Sequence, residues 1–261
     1  MSELPVDEVT STATGPLSRR DRARADTARE IKQTARRVLV EQGGDGFALR
    51  AIAREMGMTA PALYRYFASR EDLVEHVVAD LYDELCAHLE AARDTADPAT
   101  PAVRLLACSR AFRRWAITHH QEFALLFGSA GDGVVPSGHR LHTDHGSVAH
   151  EAARRFGAIF AALVAEVYAT HPFPVPAEED LDPALATQLR QWTAEFPFDV
   201  PLGVARVYLS CWVRLYGLVA MEVFGHLKFA LDDAEPMFEA ELHDLADVLG
   251  IAEHYATVRR A

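Results

Sequence analysis

The sequence has few cysteines and no long apolar run. Its three cysteines, Cys86, Cys108 and Cys211, stand far apart in 261 residues, which excludes a disulfide framework and a CxxC metal or redox pair. No apolar stretch approaches the roughly 20 residues that span a bilayer, so we expect no membrane partner. The acidic, polar start from Met1 to Pro16 lacks the apolar centre of a signal peptide. These absences predict a cytoplasmic protein with a disordered leader over residues 1–18.

Charge is distributed unevenly along the chain. The net charge is -12, yet the segment from Arg19 to Arg70 contains twelve Lys or Arg against six Asp or Glu. That segment therefore carries +6 and the remainder of the chain -18. A basic head on an acidic body indicates local attachment to a polyanion such as DNA. A solvated, charged helix face is the alternative interpretation of this charge pattern alone.

The sequence predicts an all-α fold, because helical periodicity dominates and runs of alternating β-type residues are absent. The strongest stop signal, Gly43-Gly44, ends the first predicted helix. We divide the chain into a small helical domain at residues 19–72 and a larger helical domain at residues 73–261.

A helix-turn-helix is predicted within the small domain. One short helix ends at Gly57, and Thr59 is expected to cap the next, which has Pro61 in its first turn. Ser69 is then expected to cap a long helix, with Asp72 at its third position. Such a motif places its second helix in the major groove of DNA.

The expected DNA contacts lie at and around that second helix. Small residues at its start fit the groove, tyrosine hydroxyls reach phosphates, and arginines meet guanine edges or neutralise the backbone. The predicted DNA-binding residues are Arg50, Thr59, Ala60, Pro61, Ala62, Tyr64, Tyr66 and Arg70.

The run from Phe47 to Leu73, with its "IA…G…LYRYF…R..L" signature, resembles the N-terminal domain of the TetR family of bacterial repressors. With the first helix included, the similarity extends over about fifty residues. One departure is Ala48, which stands near where the family usually has a capping threonine. The resemblance implies a homodimer whose two reading heads bind one palindromic double-stranded operator.

The resemblance also implies that the last two helices of each subunit form the dimer interface. Their apolar faces are larger than one small domain needs, although completing the core of a single chain is the competing interpretation. The predicted interface residues are Tyr208, Leu215, Val219, Val223, Phe238, Leu242, Leu245 and Leu249.

The larger domain is predicted to sense a small apolar or aromatic effector. Its stretches 111–128 and 211–227 resemble the ligand-binding domain of an actinobacterial-type TetR subgroup with Trp, His and Gly in its closing motif, where Tyr216 replaces the His. His119 is the candidate polar anchor, unless it is a satisfied core residue. Aromatic stripes are also typical of a plain core. The predicted pocket residues are Phe112, Trp115, His119, Phe123, Phe127, Phe160, Val164, Tyr168, Trp212, Tyr216 and Met221.

Neither a metal nor a cofactor is predicted. His139, His142 and His145 follow an HxxHxxH pattern, with His119, His120 and His150 nearby, but this loop lacks the spacing of a tetrahedral site. We interpret these as exposed loop histidines. Enzyme signatures such as a nucleophile elbow, HExxH or a phosphate-binding glycine loop are absent from the sequence. A ligand-responsive repressor is therefore the favoured function, and a dimeric DNA-binding protein without an effector is the alternative.

Overall fold

The computed structural model describes residues 18–42, 49–96, 100–128 and 146–258. These ranges contain α-helices, one 3₁₀ turn at Glu178–Asp180 and no strand, which confirms the all-α prediction. The predictions made for Gly43-Gly44, Ala48 and the histidines from His139 to His145 lie outside them. The described helices are α1 (Arg19–Gln42), α2 (Leu49–Glu55), α3 (Ala60–Leu63), α4 (Arg70–Thr95), α5 (Pro101–Thr118), α6 (His120–Phe127), α7 (Val148–Thr170), α8 (Pro183–Thr193), α9 (Leu202–Val223), α10 (Glu235–Val248) and α11 (Ala252–Val258).

The head consists of α1, α2 and α3 around a small apolar core. Apolar side chains recur on one face of each helix at the 3.6-residue period, and these faces meet. Burying them holds the two short helices in place, because helices of four and seven residues are not stable alone. The buried side chains of the head are Ile31, Ala35, Val38, Leu39, Leu49, Ile52, Ala53, Leu63 and Phe67.

The long helix α4 leads from the head into the body. The Ser69 hydroxyl accepts the Asp72 N–H at 3.1 Å, and the Asp72 carboxylate accepts the Ala68 N–H at 2.7 Å. This confirms the predicted cap and satisfies two backbone donors at the start of the helix. Beyond the cap, α4 packs against α1, α5, α6 and α7, so this one helix contacts both the head and the body.

The body is completed by α9, α10 and α11, which close over α5 and α7. The sequence predicts the last two helices at 202–226 and 234–250, whereas the structure has them at Leu202–Val223 and Glu235–Val248. The prediction missed α11 altogether. Gly250, at a φ of +65°, ends α10, and Ile251 then starts the turn into α11.

Candidate DNA-binding surface and apolar cavity

The turn between α2 and α3 fixes the angle of the reading helix. Gly57 adopts a φ of +65°, a left-handed conformation that favours glycine. The N–H of Met58 then donates to the Ala53 carbonyl at 2.7 Å, which closes the end of α2. Leu63 and Phe67 are buried beneath the motif and anchor α3 against the head.

The start of α3 faces solvent. Thr59 stands at the N-cap in an extended conformation but makes no side-chain cap bond, so the expected capping role of its hydroxyl is wrong. Thr59 and Pro61 are exposed, and Ala60 and Ala62 are half-buried. Tyr64, just beyond the helix, is 52% exposed, which makes it the most prominent ring of this surface. The arrangement leaves small side chains and one phenol pointing away from the core.

Tyr66 plays a different part from Tyr64. Its ring is half-buried, and the Arg24 guanidinium lies 5.8 Å from the ring centroid. Arg24 also donates to the Arg65 carbonyl at 3.2 Å. Tyr66 therefore holds an α1 arginine beside the reading helix.

The two predicted arginine contacts are positioned differently. Arg50 is exposed in the first turn of α2, and Arg70 is half-buried at the first position of α4. Both lie at helix starts next to the reading motif.

Several basic side chains of the head are bound within the chain instead. Lys32 pairs with Asp80 at 2.6 Å, and Arg37 pairs with Glu55. Arg36 donates to Glu84 at 2.6 Å and to Glu122 at 3.0 Å. The exposed arginines of the head with no ion pair to a described residue are Arg19, Arg20, Arg22, Arg24, Arg50, Arg54 and Arg65.

An apolar cavity lies between α5, α7, α9 and α10. Its volume is about 40 Å³, well below the roughly 300–1,000 Å³ of ligand pockets, so the surrounding helices would have to move apart to admit an effector. Of the predicted pocket residues, Phe160, Val164 and Trp212 line it. Sequence reasoning missed six other lining residues, because each looks like an ordinary core position: Leu105, Leu106, Ser109, Cys211, Ala246 and Ile251.

The predicted dimer-interface residues lie in this interior. Tyr208, Leu215, Leu242, Leu245 and Leu249 line the cavity wall and are between 3% and 7% exposed. Val219 and Phe238 are buried in the adjoining core, and Val223 is half-buried. Assigning the seven buried residues to a dimer interface is therefore wrong, because their side chains are already covered within one chain.

The cavity wall contains no charged side chain. The Ser109 hydroxyl donates to the Leu105 carbonyl at 2.9 Å, and the Tyr208 hydroxyl donates to the Gly157 carbonyl at 3.4 Å. Burial raises the pKa of Tyr208, and it raises the pKa of Cys211 to about 11, so both are neutral at pH 7. Such a wall suits an uncharged, largely apolar molecule.

Most of the predicted pocket rings form a packed aromatic cluster instead. Phe112 is fully buried, and its ring centroid lies 5.4 Å from that of Trp212 and 6.1 Å from that of Phe123. Phe127 and Tyr216 join the cluster, and the Tyr216 hydroxyl donates to the Phe127 carbonyl at 3.1 Å. Trp212 belongs both to this cluster and to the cavity wall, whereas Phe112, Phe123, Phe127 and Tyr216 do not line the cavity.

The other predicted pocket residues lie further away. Met221 is 41% exposed, so its assignment to the pocket is wrong. Tyr168 packs edge-on against Phe173, with centroids 5.1 Å apart. His119 ends α5 and stacks on the buried Trp115 ring at 5.1 Å, and its Nε2 atom lies 3.8 Å from Glu84. His119 is therefore not an anchor within the cavity but part of the contact between α5 and α4.

Two family models match the chain. The model described as bacterial regulatory proteins, tetR family, matches residues 31–77, and the one described as tetracyclin repressor-like, C-terminal domain, matches residues 105–245. The HTH-type transcriptional regulator Rv1816 of Mycobacterium tuberculosis is 34% identical over 241 residues, which covers 90% of this chain and 96% of the relative. The regulator Mb1846 of Mycobacterium bovis matches to the same extent.

Solved structures have the same fold. The regulatory protein SCO4313 superposes with a TM-score of 0.65 at 29% identity, covering 88% of this chain and 100% of that one. A TetR/AcrR family regulator from Thermobifida fusca superposes with a TM-score of 0.52 at 20% identity, covering 84% and 96% of the two chains.

Proposed function

Because the chain belongs to the TetR family of helix-turn-helix transcription regulators, we propose that it is a homodimeric repressor released from a palindromic operator by an uncharged, largely apolar effector. Membership of this family makes the chain a DNA-binding transcription factor and not an enzyme. The observation that carries the proposal is one chain with both an exposed reading motif and an uncharged internal cavity.

The DNA-binding part of the proposal is supported by what the head leaves exposed. Thr59, Pro61 and Tyr64 face solvent at the start of the reading helix, and Arg50 stands beside them. Arginines at the start of α1 supply further charge for phosphate contacts. Lys32, Arg36 and Arg37 are occupied within the chain, so we assign them no DNA contact.

The dimer part of the proposal is supported by the outer face of α9. Val213 is 61% exposed and Met221 and Phe224 are about 40% exposed, although all three are apolar. They share a face with Gly217, where an added Cβ would meet nothing within 4 Å. The same helix is long and apolar enough to cross a membrane by length and composition, but Arg206, Arg214 and Glu222 interrupt it.

We assign that face to a second copy of the chain. Val213, Gly217, Met221 and Phe224 recur at helical spacing, so two α9 helices can pack along this row, with the glycine allowing close approach. On the neighbouring helix, Met237 and Val248 of α10 are also exposed and extend the apolar area. A symmetric pair of such faces is self-complementary, as a twofold dimer requires.

The effector part of the proposal connects the cavity to the heads. An effector between α5, α7, α9 and α10 would press on α5, whose end contacts α4 through Trp115 and His119. Since α4 continues into the head, we infer that occupancy changes the separation of the two heads. Heads that no longer match successive major grooves, about 34 Å apart, lose affinity for the operator.

The test of this function is a DNA-binding titration followed by effector release. Sites are first selected from random DNA, and the preferred duplex is titrated with wild type, Tyr64→Phe and the body control Tyr168→Phe. We expect an inverted repeat, with binding about tenfold weaker for Tyr64→Phe only, because the phenol loses one hydrogen bond to a charged phosphate.

Uncharged aliphatic and aromatic compounds are then added to the preformed complex. Release of the DNA by a compound that also protects the chain from thermal unfolding supports the repressor proposal. If the affinity of the protein for DNA stays the same when a compound saturates the cavity, the alternative function is favoured, which is a dimeric DNA-binding protein without an effector. If the protein selects no preferred sequence from random DNA, the proposal that it binds a palindromic operator is contradicted.

A further inference from the structure

Three metal-binding side chains meet where α7 ends and α11 begins. His171 is the C-cap residue of α7, and Glu253 and His254 lie in the first turn of α11. One donor atom from each lies within 4.8 Å of the other two. The two imidazole rings meet edge to face, with centroids 5.9 Å apart and planes at 79°. These residues belong neither to the reading motif nor to the cavity wall.

The spacing of the donors is close to what a zinc ion needs. Bonds of about 2.1 Å at tetrahedral angles put neighbouring donors roughly 3.4 Å apart. His254 Nε2 and Glu253 Oε1 already lie 3.5 Å apart. The donor atom of His171 lies within 4.8 Å of the other two, and its exposed side chain can rotate to close the remaining distance.

The hydrogen bonds of the two histidines leave a ring nitrogen of each available to a cation. His254 Nε2 is buried and has no hydrogen bond, which is a costly state for a polar nitrogen. His171 Nδ1 lies 3.2 Å from the Thr170 hydroxyl, which leaves its Nε2 atom to bind a metal. Ordinary metal sites orient their histidines through such a second contact.

We propose that His171, Glu253 and His254 bind a divalent transition metal, with Zn²⁺ as the preferred ion. Two imidazoles and one carboxylate form a donor set suited to zinc, and a water molecule completes four-coordination. The ion would fasten α11 to the end of α7. Ile251, three residues before His254, lines the apolar cavity, so the metal would hold one end of the cavity in place.

A second cluster on α10 provides a control. His243, Asp244 and Asp247 also lie within binding distance of one another, but all three are exposed on a single helix. His243 packs edge-on against Tyr255, with centroids 5.0 Å apart. We assign no ion to this cluster, so its histidine is the matched substitution.

The experiment is a Zn²⁺ titration of the full chain by calorimetry, with His171→Gln, His254→Gln and the control His243→Gln. The sequence has 12 histidines, and others among them can also bind Zn²⁺. The decisive result is therefore the loss of one bound ion per chain in a site variant, and not the total number of ions bound by wild type. We expect each site variant to lose one bound ion or to weaken it at least about tenfold. The control should match wild type. Co²⁺ in place of Zn²⁺ should give the strong visible absorption of a four-coordinate site, reduced in both site variants.

Thermal unfolding with and without Zn²⁺ provides a readout that does not depend on counting ions. His171 is exposed, so His171→Gln should unfold at the wild-type temperature without metal and lose the Zn²⁺-induced rise. Equal stoichiometry and affinity in all four proteins would overturn the site, as would a wild type that binds no Zn²⁺. Neither result bears on DNA binding, so the repressor proposal is tested separately.

Discussion

Arg36 of α1 and Glu84 of α4 lie 48 residues apart in the chain and are joined by a hydrogen bond of 2.6 Å. The same guanidinium donates to Glu122 of α6 at 3.0 Å. One side chain of the head therefore contacts two helices of the body. His119, whose Nε2 atom lies 3.8 Å from Glu84, adds the end of α5 to this junction. The orientation of the head depends on this small polar cluster as well as on apolar packing.

Stability should depend on pH through Glu84. Burial alone would raise its pKa, but the hydrogen bond and charge of Arg36 outweigh burial and lower the pKa below its ordinary value of 4.5. The bond to Arg36 therefore stabilises the fold fully above that pH, and this contribution is lost as pH falls through the folded-state pKa. We expect Glu84→Gln to lower the free energy of unfolding by about 1 kcal/mol at pH 7, since the pair is partly solvated.

Chemical unfolding at several pH values measures this difference, which should shrink below about pH 4.5. Glu90→Gln is the control, because Glu90 is exposed on the same helix without an ion pair to a described residue. If the difference in free energy of unfolding between wild type and Glu84→Gln is the same at all pH values, the charge of the Glu84 carboxylate does not stabilise the fold.

Arg50→Ala should weaken DNA binding and its salt dependence. An exposed arginine that neutralises one phosphate contributes about one unit to the slope of log affinity against log salt. We expect that slope to fall by about one unit, and Arg114→Ala, an exposed arginine of α5, to leave it unchanged. Fluorescence anisotropy at several salt concentrations measures both. A weaker affinity with an unchanged slope would instead indicate a base contact.

Ala246→Leu should fill the cavity without destabilising the chain. Ala246 is 1% exposed and lines the cavity, so the added carbons enter existing space. The matched variant is Ala116→Leu, at a fully buried position away from the cavity, where overpacking should cost about 1–3 kcal/mol. Thermal unfolding compares the two. Equal destabilisation would mean that the cavity wall cannot accept a larger group.

Val213→Glu should separate the proposed dimer into folded monomers. Val213 is 61% exposed in a single chain, so the charge costs little there but is buried without a partner between two α9 helices. Val148→Glu, at a 44% exposed valine at the start of α7, is the control. Analytical ultracentrifugation at micromolar concentration measures the mass. If the Val213→Glu variant still has the mass of a dimer, the interface lies on another surface.

The reading head was predictable because its signals are local. Gly57 marks a left-handed turn, and Ser69 with Asp72 marks a helix start, within a few residues of the groups they serve. Leu63 is buried at the end of α3, and Phe67 is buried four residues further along the chain. Each of these features depends on residues that are close in sequence, and a sequence pattern records such local relationships.

The sequence assigned the cavity-lining stripe of α9 to a dimer interface because α9 is apolar on both faces. Periodicity identified Tyr208, Leu215 and Val219 as one stripe, but it does not tell whether a stripe faces its own chain or another. The structure buries that stripe and exposes the opposite one, with Val213 and Met221. Long-range packing against α10 decides between them, and it involves residues more than twenty positions away.

The cavity and the proposed dimer contact lie on opposite sides of one helix. Tyr208 and Leu215 of α9 line the cavity, while Val213 and Gly217 face outward. In the proposed dimer two such helices would pack about 8–10 Å apart, so only these two helices would separate the two cavities. A molecule that shifts α9 in one subunit would then displace the neighbouring α9 against its own cavity. Effector occupancy in the two subunits is then coupled mechanically, and saturation curves should be sigmoidal or anticooperative and not hyperbolic.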